Sequence, residues 1–183
     1  MNSLYSALAT LPALESIKFS VPPEDESTLA TYESLTELLR VPSLRSVCFS
    51  GFYFRRALCQ ATANALMEGT VVIDLEFTDC SFSAGECAAM LGNGLSRNSS
   101  VSYIVVEPFD RTLNGALAAA LLSNSTLQDL VLSGRRMYVD PNFSLVLSAL
   151  GKNTGLKNLT LGTFGSMDDS MSTAMKDGLG MNE

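Results

Sequence analysis

The chain has 183 residues, 46% of them apolar and 17% charged, which is enough for one domain with a sizeable core and excludes disorder of the whole chain. Twelve Lys and Arg against 19 Asp and Glu leave a net charge of −7, which repels nucleic-acid phosphates and anionic membranes, so neither is an expected partner. There is no histidine, and the four cysteines (Cys48, Cys59, Cys80, Cys87) form no C-x-x-C pair, so no metal site is expected and reduced, buried thiols are.

The first eleven residues, Met1 to Leu11, read as the helix half of a preceding repeat. They lack the basic start and unbroken apolar run of a signal peptide, and no stretch approaches the ~20 apolar residues of a membrane span. An intracellular, cytoplasmic setting is therefore expected. The sequons at Asn98, Asn124, Asn142 and Asn158 then read as structural rather than glycosylated.

From residue 14 onward one frame, L-x-x-[LIV]-x-[LFV], returns through the chain. It reads Leu14-Ile17-Phe19, Leu44-Val47-Phe49, Val72-Leu75-Phe77, Val101-Ile104-Val106, Leu127-Leu130-Leu132 and Leu156-Leu159-Leu161, with first positions 30, 28, 29, 26 and 29 residues apart. Alternation within each frame predicts a strand.

Between frames the apolar spacing turns to three and four, predicting a helix after each strand. The residues are Leu29, Tyr32, Leu35 and Leu38, then Leu58, Ala61, Ala65 and Leu66, then Cys87, Met90, Leu91 and Leu95, then Leu113, Leu117, Ala120 and Leu121. Three positions before a leading frame residue stand Gly69, Asn98, Asn124 and Asn153, with Asn182 near the chain end; a left-handed backbone closing each helix is expected there.

A strand with one apolar side and a helix with one apolar stripe close a core only by stacking on neighbours. The expected fold is thus α/β: a right-handed β-α solenoid, a horseshoe, with a parallel sheet on the concave side and helices on the convex side. Residues 1–183 form one domain of about six repeats, starting near 14, 44, 72, 101, 127 and 156. Its edges lack capping repeats, so it is expected to belong to a longer array.

The frame, the period near 28 and the outer helix resemble the ribonuclease-inhibitor-like class of leucine-rich repeats over nearly the whole chain. The segment Val72-x-x-Leu75-x-Phe77-x-x-Cys80-x-Phe82 matches best, because Asn or Cys follows the strand in that class. Elsewhere the position holds Pro22, Phe52, Phe109, Arg135 and Phe164, so the class's asparagine ladder after the strands is mostly missing. The resemblance implies a scaffold, since relatives include enzyme inhibitors, immune sensor domains and GTPase-activating proteins; fold alone does not choose among them.

Strand positions between the frame residues face the concave side. They are Ser16 and Lys18, Ser46 and Cys48, Asp74 and Glu76, Tyr103 and Val105, Asp129 and Val131, and Asn158 and Thr160. Their middle is an apolar strip, Tyr103, Val105 and Val131, rimmed by Asp74, Glu76, Glu107 and Asp129, the composition of a protein-binding patch. Arg55, Arg56, Arg111, Arg135 and Arg136 fall on loops that leave the strands, where a partner's carboxylates or phosphates would be gripped.

No histidine base, phosphate loop or dinucleotide fingerprint is present, and Asp168-Asp169-Ser170 reads as a helix start, so no enzyme and no cofactor is expected. The expected function is a non-catalytic protein-protein interaction scaffold. The alternatives are a GTPase activator donating a loop arginine, Arg55 or Arg135, and a spacer or sensor segment of a larger receptor.

Overall fold

The computed structural model describes residues 7–20, 32–107, 111–134 and 143–162, with Thr173 and Lys176. In chain order the elements are β1 (Ser16–Ser20), α1 (Tyr32–Leu39), β2 (Ser46–Ser50), β3 (Tyr53–Phe54), α2 (Arg56–Met67), β4 (Asp74–Thr78), β5 (Ser81–Phe82), α3 (Ala84–Arg97), β6 (Tyr103–Glu107), a 3₁₀ turn (Arg111–Leu113), α4 (Asn114–Ser123), β7 (Asp129–Leu132), α5 (Phe143–Leu150) and β8 (Asn158–Leu161). Residues 7–9 are helical, as expected of a helix half.

Six strands form one parallel sheet in the order β1-β2-β4-β6-β7-β8, each frame beside the next. Ile17, Val47, Leu75, Ile104, Leu130 and Leu159 share one row, and Phe19, Phe49, Phe77, Val106, Leu132 and Leu161 the other inward row. Each inward row is buried against the helices, which pack sequentially, α1 on α2 through α4 on α5. This is the leucine-rich-repeat solenoid, a β-α superhelix with strands on one side and helices on the other.

The twelve frame residues of the four inner repeats are buried, whereas Leu14, Ile17, Phe19, Leu156, Leu159 and Leu161 at the two ends are half-buried. A strand covered by one neighbour hides less than a strand between two. Backbone joins the repeats ahead of the strands too: the Arg45 carbonyl accepts from the N–H groups of Ile73 and Asp74, and the Ile73 carbonyl from those of Ser102 and Tyr103.

The helix-to-strand turns meet the expectation at Gly69 and depart from it at Asn98 and Asn124. Gly69 is left-handed, with φ +94°. Asn98 and Asn124 are extended, with φ −74° and −90° and ψ 138° and 124°. Their side chains do the turning. Asn98 Nδ2 donates to the Leu66 carbonyl of the preceding repeat, while Oδ1 accepts from the N–H groups of Ser100 and Val101. Asn124 Nδ2 donates to Leu95 and Asn98, and Asn153 Nδ2 to Leu121 and Asn124. Where Gly69 removes the amide, Thr70 Oγ1 substitutes, donating to the Leu39 carbonyl at 2.6 Å and accepting from the Val72 N–H. An asparagine ladder is present, but it enters the strands instead of leaving them. Asn182 lies outside the described residues.

Around the strand ends the phenylalanines pack on one another, with Phe52, at the ladder position, edge-on to Phe49. Phe19, Phe49 and Phe77 stack at 5.4 and 5.9 Å, and Phe54 stacks on Phe82 at 5.0 Å, with Phe54 edge-on to Phe49 and Phe77. Phe54 and Phe82 belong to the two-residue strands β3 and β5, a small second sheet that the one-strand repeat did not predict. Cys80 makes the one expected ladder contact, its thiol donating to the Phe49 carbonyl at 3.3 Å.

Candidate functional site: the outer face of the sheet

Strand alternation that sends Leu75, Phe77, Ile104 and Val106 inward sends their neighbours outward. Along β4 and β6 burial alternates accordingly, with Asp74, Glu76, Tyr103 and Val105 partly exposed between buried residues. Parallel pairing aligns them in two rows across the sheet. One runs Ser16, Ser46, Asp74, Tyr103, Asp129, Asn158; the other runs Lys18, Cys48, Glu76, Val105, Val131, Thr160. The predicted face is therefore in register from end to end.

Tyr103 stands between Asp74 on β4 and Asp129 on β7, and Val105 between Glu76 and Val131. With strands about 4.8 Å apart, the two aspartates bracket the ring at roughly 10 Å from one another. Asp129 accepts a hydrogen bond from Asn158 Nδ2. The side-chain carboxylates of Asp74 and Glu76 have no hydrogen-bond or ion-pair partner among the described residues. Partial burial pushes the Asp74 carboxyl above its ordinary range, because removing water penalises its charged form. Glu107 follows at the strand end and is exposed.

One outward position departs from expectation: Cys48 is buried, 9% exposed, so β2 offers Ser46 and Ser50 but no thiol. Its sulfur lies 3.8 Å from Thr78 Oγ1, folded toward the neighbouring strand. The sequence reading also missed the apron ahead of the strands. Ile73, 39% exposed, adjoins Asp74, and Lys157 Nζ donates to Gln128 Oε1. These residues precede each strand, where alternation carries no signal.

Arg55 and Arg56 are exposed at the start of α2; Arg55 lies over the Tyr53 ring at 5.6 Å, and Arg56 Nη1 is 3.6 Å from Glu86 Oε2. The backbone of Arg111 begins the 3₁₀ turn. Arg135, Arg136 and Asp168-Asp169-Ser170 lie outside the described residues.

Cys48, Cys59, Cys80 and Cys87 are all free and buried. Among the described residues no group of three or more His, Cys, Asp or Glu side chains converges as metal ligands, and no helix is long and apolar enough to cross a membrane.

No protein-family model matches the sequence, and no curated protein matches it. Among solved structures the chain is similar to the tropomodulin C-terminal domain of Caenorhabditis elegans, with 9% identity, a TM-score of 0.47, and coverage of 97% of this chain and 95% of that one.

Proposed function

We propose that this chain, as one domain of six repeats in the ribonuclease-inhibitor-like class, is a non-catalytic scaffold that binds another protein across the outer face of its sheet. The observation that carries the reading is the register-aligned strip of Tyr103, Val105 and Val131 beside the carboxylates of Asp74, Glu76 and Asp129. An aromatic ring with aliphatic neighbours supplies contact area at low entropy cost, and a charged rim supplies orientation. Strand side chains on a stacked sheet are held in place by the ladder beneath them, so a partner meets a preorganised surface. Four free, buried thiols fit an intracellular, reducing setting.

The test is capture of partners from a cell extract on the immobilised full chain, repeated with Tyr103→Ala and Val131→Asp. Circular dichroism confirms that both variants fold. Both are expected to lose proteins that the parent chain retains; an unchanged set of bound proteins from both folded variants rejects this face.

A further inference from the structure

The geometry points to an arginine side chain of the partner as what Tyr103 receives, its guanidinium lying on the ring and shared between the carboxylates of Asp74 and Asp129. The inference rests on the outer-face reading above and names the chemistry of the partner.

Three features select that chemistry. The first is order: along one row of the sheet an anion, an aromatic ring and an anion stand on successive strands. A flat cation stacked on Tyr103 meets the ring's negative face and has a carboxylate toward each edge. The second is vacancy. Asp74 has no cationic partner among the described residues. Arg45, at the entry to β2, donates its Nη1 to the Val71 carbonyl, and Lys18 stands two strands away. Partial burial holds the Asp74 carboxyl above its ordinary range, so a neighbouring cation would stabilise its charged form.

The third is the neighbouring row, where Val105 and Val131 lie beside Tyr103 and Asp129. An aliphatic residue next to the arginine rests there. Lysine fits less well, since an ammonium is a strongly hydrated point charge that neither stacks nor spans two carboxylates. Asp129, already holding Asn158, is the fixed side of the clamp and Asp74 the open one.

The experiment uses the full chain and three probes, N-acetyl-Arg-Val-amide and its lysine and citrulline counterparts, titrated while the Tyr103 signals are followed by NMR. Arginine is expected to move those signals, with lysine about threefold weaker and citrulline, planar but uncharged, at least about tenfold weaker. Asp74→Asn lowers arginine affinity about tenfold; Tyr103→Phe keeps the ring and most of the binding, and Tyr103→Leu loses it.

Citrulline binding as tightly as arginine, lysine matching arginine, or Tyr103 signals unmoved by arginine each overturn the clamp. The broader reading has its own readout. If Tyr103→Ala abolishes partner capture while the probes show no arginine preference, the outer face stands and the clamp falls; if capture is also unchanged, both fall.

Discussion

Asn124 is 7% exposed and its side chain holds five hydrogen bonds, two donated to the Leu95 and Asn98 carbonyls and three accepted from Thr126 N–H, Thr126 Oγ1 and Leu127 N–H. Truncation strands the buried Leu95 and Asn98 carbonyls and the Leu127 amide without their partner. Asn124→Ala is therefore expected to cost about 2–4 kcal/mol in urea unfolding, the range for several buried groups left unpaired. Asn158→Ala, on the exposed outer face, should stay within about 0.5 kcal/mol. Equal losses at the two sites would mean that the ladder is not what holds the turns. The asparagines were legible in the sequence as turn markers, three positions ahead of the last three frames. Their mode of action was not, because a left-handed cap and a side-chain bridge to another repeat use the same residue type, and only the φ of Asn98 and Asn124 separates them.

At the scale of elements, α3 is closely packed on both sides. A methyl group at Gly92 would meet the Ala116 carbonyl oxygen of α4 at 2.6 Å, and one at Gly94 would meet Ala63 Cα of α2 at 2.9 Å. Alanine normally favours a helix over glycine by up to about 1 kcal/mol, but here backbone must separate to admit it. Gly92→Ala is expected to lower the thermal midpoint by several degrees, about 1–3 kcal/mol. At Gly115 on α4 a methyl group meets nothing within 4 Å, so Gly115→Ala should raise it slightly, by about 0.5 kcal/mol. Differential scanning calorimetry on the pair separates close approach from propensity; a gain at both positions would contradict the packing. Sequence periodicity found all six long strands and the stripes of four of the five helices, α5 excepted, because three apolar residues at spacing 3 and 2 have one plausible fate. It missed β3 and β5, where two residues, such as Tyr53-Phe54, are too few to show a period.

For the molecule as a whole, the core is continuous from Leu35 to Leu150, and all four thiols fall within its span. Burial and contact with Cys87 push the Cys59 thiol well above its ordinary range, and burial pushes Cys80 up to about 11. A thiol is nucleophilic as thiolate, so both raised pKa and inaccessibility oppose alkylation at neutral pH. Mass spectrometry after a brief exposure to N-ethylmaleimide at pH 7 should find the native chain unlabelled and the urea-unfolded chain carrying four labels. Rapid single labelling of the folded chain would show that a repeat opens locally. The candidate site was legible at the same scale: once the frames align, Asp74, Tyr103 and Asp129 must share a row, whereas burial of Cys48 depends on Thr78 from the next strand. The three ladder amides of Asn98, Asn124 and Asn153 all point the same way along the chain, toward carbonyls of the repeat made before their own. On a ribosome each amide thus emerges after its acceptors, so the solenoid can lengthen turn by turn in the direction of synthesis, every new coil latching onto one already finished.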